Sequence, residues 1–296
     1  MAKLTFLGTG TSCGVPTLGC FCDVCTSTDP HDKRLRTSSL LETENTRILI
    51  DCGPDFRQQM LQQEFRKIDA ILITHSHYDH VGGIDDLRPY CRFGDIDIYA
   101  DEISANSLRN TMPYCFAEKK YPGVPSINLH TIHPHDNLHI GDFDITAFEV
   151  MHAKLPILGY RIGNLAYITD MKSISDGEVE LIKGVDTLVE NALRWDKPHH
   201  SHQLVDDAIA FARRVGARRT YLVHANHDIG KHNEINRRLP DDIRYAYDGL
   251  QISGIIPEAE PQNSPSCLWD RCPGCRAPAP CWWRRPSLPS AGRQST

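Results

Sequence analysis

Short apolar runs recur along this chain, and many stop at a residue able to hold a metal ion. Lys3–Leu7 reads as a first strand, and Thr46–Asp51 as the next, ending on an aspartate. Ile68–Thr74 carries the apolar run Ala70–Ile73, reads as a buried strand and leads into His75. Ile96–Ala100 is a further strand. Phe143–Val150 alternates and delivers His152, and Gly159–Ile162 and Ala166–Thr169 form a hairpin around Gly163–Asn164 that ends at Asp170. Thr187–Asn191 is a short strand, Arg219–Val223 delivers His224, and a last strand lies near Arg244–Ala246. Helical patterns cover Asp55–Phe65 with Asp55 as N-cap, Ile84–Arg88, Asp101 to about Asn110, Leu204–Val215, and Asn233–Leu239. Leu204, Ala208, Phe211, Ala212 and Val215 share one face. Residues 113–142, rich in Pro, Tyr, His and Gly, carry only weak strand signal, and His130, His133, His135 and His139 read as surface residues.

Residues 69–83 concentrate the chemistry. His75, His77, Asp79 and His80 follow the apolar run, and Gly82–Gly83 lets the loop turn tightly. His75 and His77 are two apart, so in extended chain they face the same side. Imidazole and carboxylate suit zinc, manganese or iron, and a ligand set this dense exceeds what one open catalytic ion needs from protein. Upstream, Gly8–Gly14 is a glycine-rich loop without the Lys-Ser/Thr ending of a phosphate cradle, so it reads as a strand-end loop beside a site. Cys20, Cys22 and Cys25 have spacing for three thiolates on one zinc, with the fourth ligand coming from elsewhere.

Composition narrows this little. With 296 residues, 40% apolar, the chain is an ordinary globular one. Its net charge of −6 gives no global attraction to nucleic acid. No apolar run of about 20 residues exists to span a membrane, and no secretion signal opens the chain, so a cytoplasmic protein is expected. Its eleven cysteines then read as metal-binding or reduced. Residues 257–296 turn rich in Pro, Ser, Arg and Cys and read as a disordered tail after a domain over 1–256. Cys272 and Cys275, with Cys267 and Cys281 outside them, have knuckle spacing but lack a supporting pattern.

The motif His75-x-His77-x-Asp79-His80 with later His152, Asp170 and His224 resembles the metallo-β-lactamase superfamily over roughly residues 1–255. The resemblance implies an α/β fold, an αββα four-layer sandwich. It also implies two divalent ions, zinc or manganese: His75, His77 and His152 on one, Asp79, His80 and His224 on the other, and Asp170 between them. The cysteine loop resembles that of the cyclic-phosphate phosphodiesterases of the carbon–phosphorus lyase pathway. There the fourth ligand of a structural zinc lies three positions after the last active-site histidine, which here is His227. The same branch carries a phosphate-contacting histidine that acts as general acid, matching His202, with His199 and His200 nearby.

This resemblance implies a phosphodiesterase for a small or cyclic phosphodiester. A metal-bridging hydroxide would attack, Asp79 would orient it and His202 would assist the leaving oxygen. Ribonuclease Z proteins also look similar, but their RNA-gripping arm falls between the positions of His152 and Asp170, and that short interval is filled by the hairpin. A large nucleic-acid partner is therefore disfavoured. A thioester hydrolase and a metal protein of the pyrroloquinoline-quinone biosynthesis B type are the other readings. Dimerisation is common among such proteins, so a homodimer is expected on the resemblance alone.

Overall fold

The structure is a computed structural model and describes residues 1–119 and 122–256. The tail at 257–296, with Cys267, Cys272, Cys275 and Cys281, lies outside the described residues. The strands in chain order are β1 (Ala2–Gly8), β2 (Ser38–Glu42), β3 (Arg47–Ile50), β4 (Ala70–Leu72), β5 (Ile96–Ala100), β6 (Ile127–Thr131), β7 (Asn137–Ile140), β8 (Phe143–His152), β9 (Leu155–Ile162), β10 (Leu165–Tyr167), β11 (Thr187–Asn191), β12 (Arg219–Val223), β13 (Ile243–Tyr245) and β14 (Gln251–Ile255). They form two seven-stranded sheets, ordered β14-β1-β2-β3-β4-β5-β6 and β13-β12-β11-β10-β9-β8-β7. Both are mixed: β3 through β6 run parallel, as do β10 through β13, while their neighbours are antiparallel.

The core has three apolar layers. Leu4, Phe6, Ile48, Leu72, Phe143, Tyr160 and Val223 fill the space between the sheets. Outside the first sheet, Leu40, Leu49, Ile71 and Ile98 pack on α1 (Phe56–Met60) and, beyond α2 (Tyr78–Val81), on α3 (Glu102–Thr111) and α4 (Pro113–Phe116). Outside the second, Leu188 and Leu222 pack on α5 (Asp176–Ile182) and α6 (Val205–Val215), with α7 (His232–Asn236) at the end. This is the α/β sandwich of two mixed sheets with helices on both outer faces. No helix among the described residues is long and apolar enough to cross a membrane.

Differences from the sequence reading have local causes. The helix over 55–65 shortens to α1, because Asp55 does not cap it; its carboxylate instead accepts from Arg36 N and Arg36 Nη1, both at 2.8 Å. Ile84–Phe93 is a 3₁₀ stretch with Pro89 inside it, where proline removes a helical donor. The helix over 233–239 shortens to α7. Residues 113–142 hold α4 and the two edge strands β6 and β7, which bury few positions and so alternate weakly. Their histidines lie on the surface beside Asp97, Asp136, Glu178 and Asp144.

Candidate metal centre

Adjacent strands of both sheets end at one edge. β4 gives way to Thr74 and His75, and α2 starts after His77 and carries Asp79 and His80. The turn is held against the loop after β3: Cys52 N donates to His80 O at 2.7 Å and Gly83 N to Cys52 O at 2.9 Å. A Cβ on Gly83 would stand 2.0 Å from Gly53 O, so this close approach requires glycine. Asp51, Asp170 and His224 follow β3, β10 and β12, and all three have left-handed backbone, with φ of 61°, 56° and 59°. Such strain in non-glycine residues concentrates at functional sites.

The ligand-type side chains converge. One donor atom from each of Asp79, His80, Asp170 and His224 lies within 4.8 Å of the others, as do donors from His75, His77 and Asp170, and from His152, Asp170 and His202. Asp170 is common to all three groups. His152 groups most tightly with Asp170 and His202, its ring being 5.1 Å from that of His77 and 5.6 Å from that of His75.

Hydrogen bonds fix the ring orientations. His80 Nδ1–H donates to Asp51 at 2.7 Å, which leaves its buried Nε2 with no hydrogen-bond partner, 3.3 Å from Asp79 and 3.4 Å from Asp170. The Thr74 hydroxyl donates to Asp51 at 2.8 Å and lies 3.1 Å from His75 Nδ1, leaving His75 Nε2 toward the cluster. His152 Nδ1–H donates to the Asp170 carbonyl at 2.6 Å. Such outer bonds present the second ring nitrogen to a metal. The unpartnered Nε2 of His80 among buried carboxylates and imidazoles therefore fits divalent ions.

Two further groups flank the cluster. His202, 7% exposed, has a buried Nδ1 without a partner, and its ring is 4.8 Å from those of both His152 and His224. His199 stacks on His202, and His200 is exposed. Donors of Cys20, Cys22, Cys25 and His227 also lie within 4.8 Å of one another. His227 Nδ1 is 3.5 Å from Cys20 Sγ and 3.4 Å from Cys22 Sγ, a Cys₃His set of the kind that holds zinc.

Residues 46–225 match the Beta-lactamase superfamily domain. The chain belongs to the beta-lactamase superfamily. This superfamily member is similar to a solved diphosphatase of the PhnP family, with 41% identity and a TM-score of 0.79 over 85% of this chain and 96% of that one. It is 44% identical over 270 residues to an octanoyltransferase of Porphyromonas gingivalis, covering 89% of this chain but only 55% of that longer protein. It is also 30% identical over 227 residues to the exodeoxyribonuclease WalJ of Streptococcus pneumoniae, covering 67% of this chain and 79% of that protein.

Electrostatics in this beta-lactamase superfamily member favour the metal-binding protonation states at His75, His77, Asp79 and Asp170. Burial, with His80 nearby, holds His75 well below the usual imidazole range, and burial with His152 lowers His77; neutral imidazole is the form that ligates metals. Burial opposes ionisation of Asp170 and Asp79, but His224 and His80 outweigh it and keep both carboxyls low. His80 is the exception: burial opposes its charge, yet Asp170, Asp51 and Asp79 outweigh burial and favour the charged ring, so a divalent ion among these carboxylates would take the place of that proton on Nε2. In the cysteine group, the Cys25 backbone N–H brings Cys22 down to about 6, while burial raises Cys25 to about 11.

The sequence reading noted Asp51 as a strand end without a role, and missed Thr74 and Thr11. Thr11 places its hydroxyl 3.1 Å from His224 Nε2. For Asp51 the available sequence signal was an apolar strand running into Asp-Cys-Gly.

Proposed function

We propose that this chain is a metal-dependent phosphoesterase acting on a small phosphoric diester or diphosphate linkage, with the metal centre at the edge where the strands end. The observation that carries this is the convergence of three donor groups on the single carboxylate of Asp170. His75, His77, His152 and Asp170 would hold one divalent ion, and Asp79, His80, His224 and Asp170 the second, each zinc or manganese. Cys20, Cys22, Cys25 and His227 would hold a structural zinc. When bound, the ion pair supplies Lewis-acid polarisation of a phosphoryl group and a nucleophile at neutral pH.

The chain's own residues do the rest. Asp79, kept ionised beside His80, accepts a hydrogen bond from the attacking water and orients it. His202 stands at the buried wall of the cluster. Burial, with His224 nearby, lowers it to about 3, so it acts as a neutral ring. Its contribution is therefore a hydrogen bond to the oxygen where negative charge develops, rather than complete proton transfer. The similarity to a PhnP-family diphosphatase along nearly all of that protein supports phosphorus-ester chemistry. Octanoyl transfer is less well supported, since close to half of that relative lies outside the match. The interval between His152 and Asp170 is occupied by β9 and β10, which leaves no RNA-gripping arm there. This favours a small-molecule substrate over a large nucleic acid; a cytoplasmic setting, no membrane partner and a homodimer stay part of the reading.

The test is a panel on metal-loaded protein: bis-p-nitrophenyl phosphate, a 2′,3′-cyclic nucleotide, UDP-glucose, a thioester and a precursor tRNA, with elemental analysis alongside. Turnover of the small phosphorus esters with about three ions per chain is the expected result. Silence on every ester with the metals present would favour the non-catalytic, quinone-biosynthesis-B-like reading. Preferential cleavage of precursor tRNA would favour a nuclease.

A further inference from the structure

The loop before α6 continues the row of imidazoles outward from the metal centre. The ring of His202 is 4.8 Å from those of His152 and His224, and His199 stacks on it at 4.8 Å with the planes 11° apart. His199 is only partly buried, so it carries the row to the mouth of the site. The Ser201 backbone N–H donates to its Nδ1 at 3.4 Å, and the Ser201 hydroxyl lies 3.2 Å from the same nitrogen. A ring nitrogen that accepts does not carry the proton, so the neutral ring carries it on Nε2. Among the described residues nothing takes that Nε2–H.

The surroundings favour an anion. Lys172 donates to the His202 carbonyl at 3.1 Å, which places its ammonium beside this segment, and among the described residues no carboxylate pairs with it. Arg194 is already engaged by Lys197 O at 2.9 Å and Asp228 at 3.4 Å. Burial and the neighbouring His200 disfavour a charged His199, and Arg194, His152 and Lys172 add to this. A neutral N–H donor with an uncompensated ammonium nearby suits a phosphoryl oxygen.

We propose that His199 contacts the substrate: its Nε2–H, with Lys172 beside it, holds a second phosphoryl group and makes the site selective for diphosphate-linked esters over esters with a single phosphorus. This rests on the phosphoesterase reading above. The first phosphoryl group would sit at the metal centre beside His202, and the second is reached one ring further out.

The experiment compares metal-loaded wild type, His199→Ala and His199→Gln. Calorimetry measures binding of the non-hydrolysable α,β-methylene analogue of UDP-glucose and of UMP, which has one phosphate. His199→Ala should weaken the analogue about tenfold more than UMP, a difference of one charge-assisted hydrogen bond. His199→Gln, which keeps an N–H donor, should recover most of it. In turnover, the loss of kcat/KM on UDP-glucose should exceed that on bis-p-nitrophenyl phosphate by a similar factor, mainly through KM. Equal losses for both ligands, or no loss for either, would overturn the proposal and leave His199 as a support for His202. If wild type turns over neither ester, the phosphoesterase reading fails by itself, and the calorimetric contrast still decides whether His199 selects a second phosphoryl group.

Discussion

At the residue scale, one buried carboxylate organises two histidines. Asp51 accepts directly from His80 and, through the Thr74 hydroxyl, supports His75, so it sets which nitrogen each ring offers. Asp51→Asn replaces one acceptor oxygen by a donor, which sets it against His80 Nδ1–H or Thr74. We expect metal affinity to fall about 10- to 100-fold, the range for lost outer-shell partners, measured by competition with a chelator. An unchanged affinity would mean that the strand ends alone aim these rings. The role proposed for His202 is different. His202→Ala should lower kcat on bis-p-nitrophenyl phosphate by about 10²-fold, as for loss of a hydrogen-bond donor to developing charge, while the metal content stays at the wild-type value. Loss of metal in step with activity would instead make His202 a ligand, an outcome its place in a group with His152 and Asp170 leaves available.

At the element scale, the strands carry the legible part of the site. His75, His152, Asp170 and His224 could be placed at strand ends because an apolar run stops just before each. What periodicity does not record is the left-handed turn that aims Asp51, Asp170 and His224, since these are ordinary residues adopting a backbone that glycine usually takes. Nor does it show the interlocking of the loops after β3 and after α2, which are distant in sequence. Gly83→Ala tests that contact. The new Cβ would meet Gly53 O and the Phe56 Cβ, at 2.0 and 2.7 Å, and neither can swing away. Destabilisation of about 1–3 kcal/mol should appear in denaturant unfolding, together with weaker metal binding. If metal affinity holds while stability falls, the loop contact serves the fold alone. The edge strands β6 and β7 were unreadable for another reason: half-exposed edges need no sharp alternation.

At the scale of the whole molecule, the loop after β1, the segment at 34–37 and the turn before β14 are joined by Asp248. Its carboxylate accepts from the Thr9 hydroxyl at 2.7 Å and from Leu35 N at 2.6 Å, beside the buried Arg34. Sequence could not reveal this, because the partners are more than two hundred residues apart and none belongs to a motif. Burial outweighs these bonds and raises Asp248 from 3.8 to about 6. The sign follows from proton counting. Between the unfolded and folded values the folded chain holds a proton that the unfolded chain has released, so stability falls as pH rises through this window. Below it the group contributes fully, and above about 6 that contribution, on the order of 3 kcal/mol, is gone. Asp248→Asn removes the titration while its amide still offers one acceptor. Any loss from the missing second acceptor is independent of pH. Metal release in acid affects both proteins and cancels in their difference. The stability of Asp248→Asn relative to wild type should therefore improve as pH rises from about 4 to about 7, read from paired denaturant curves. A difference that stays flat across that range would show that Asp248 is ionised throughout, with Arg34 rather than a retained proton compensating its burial.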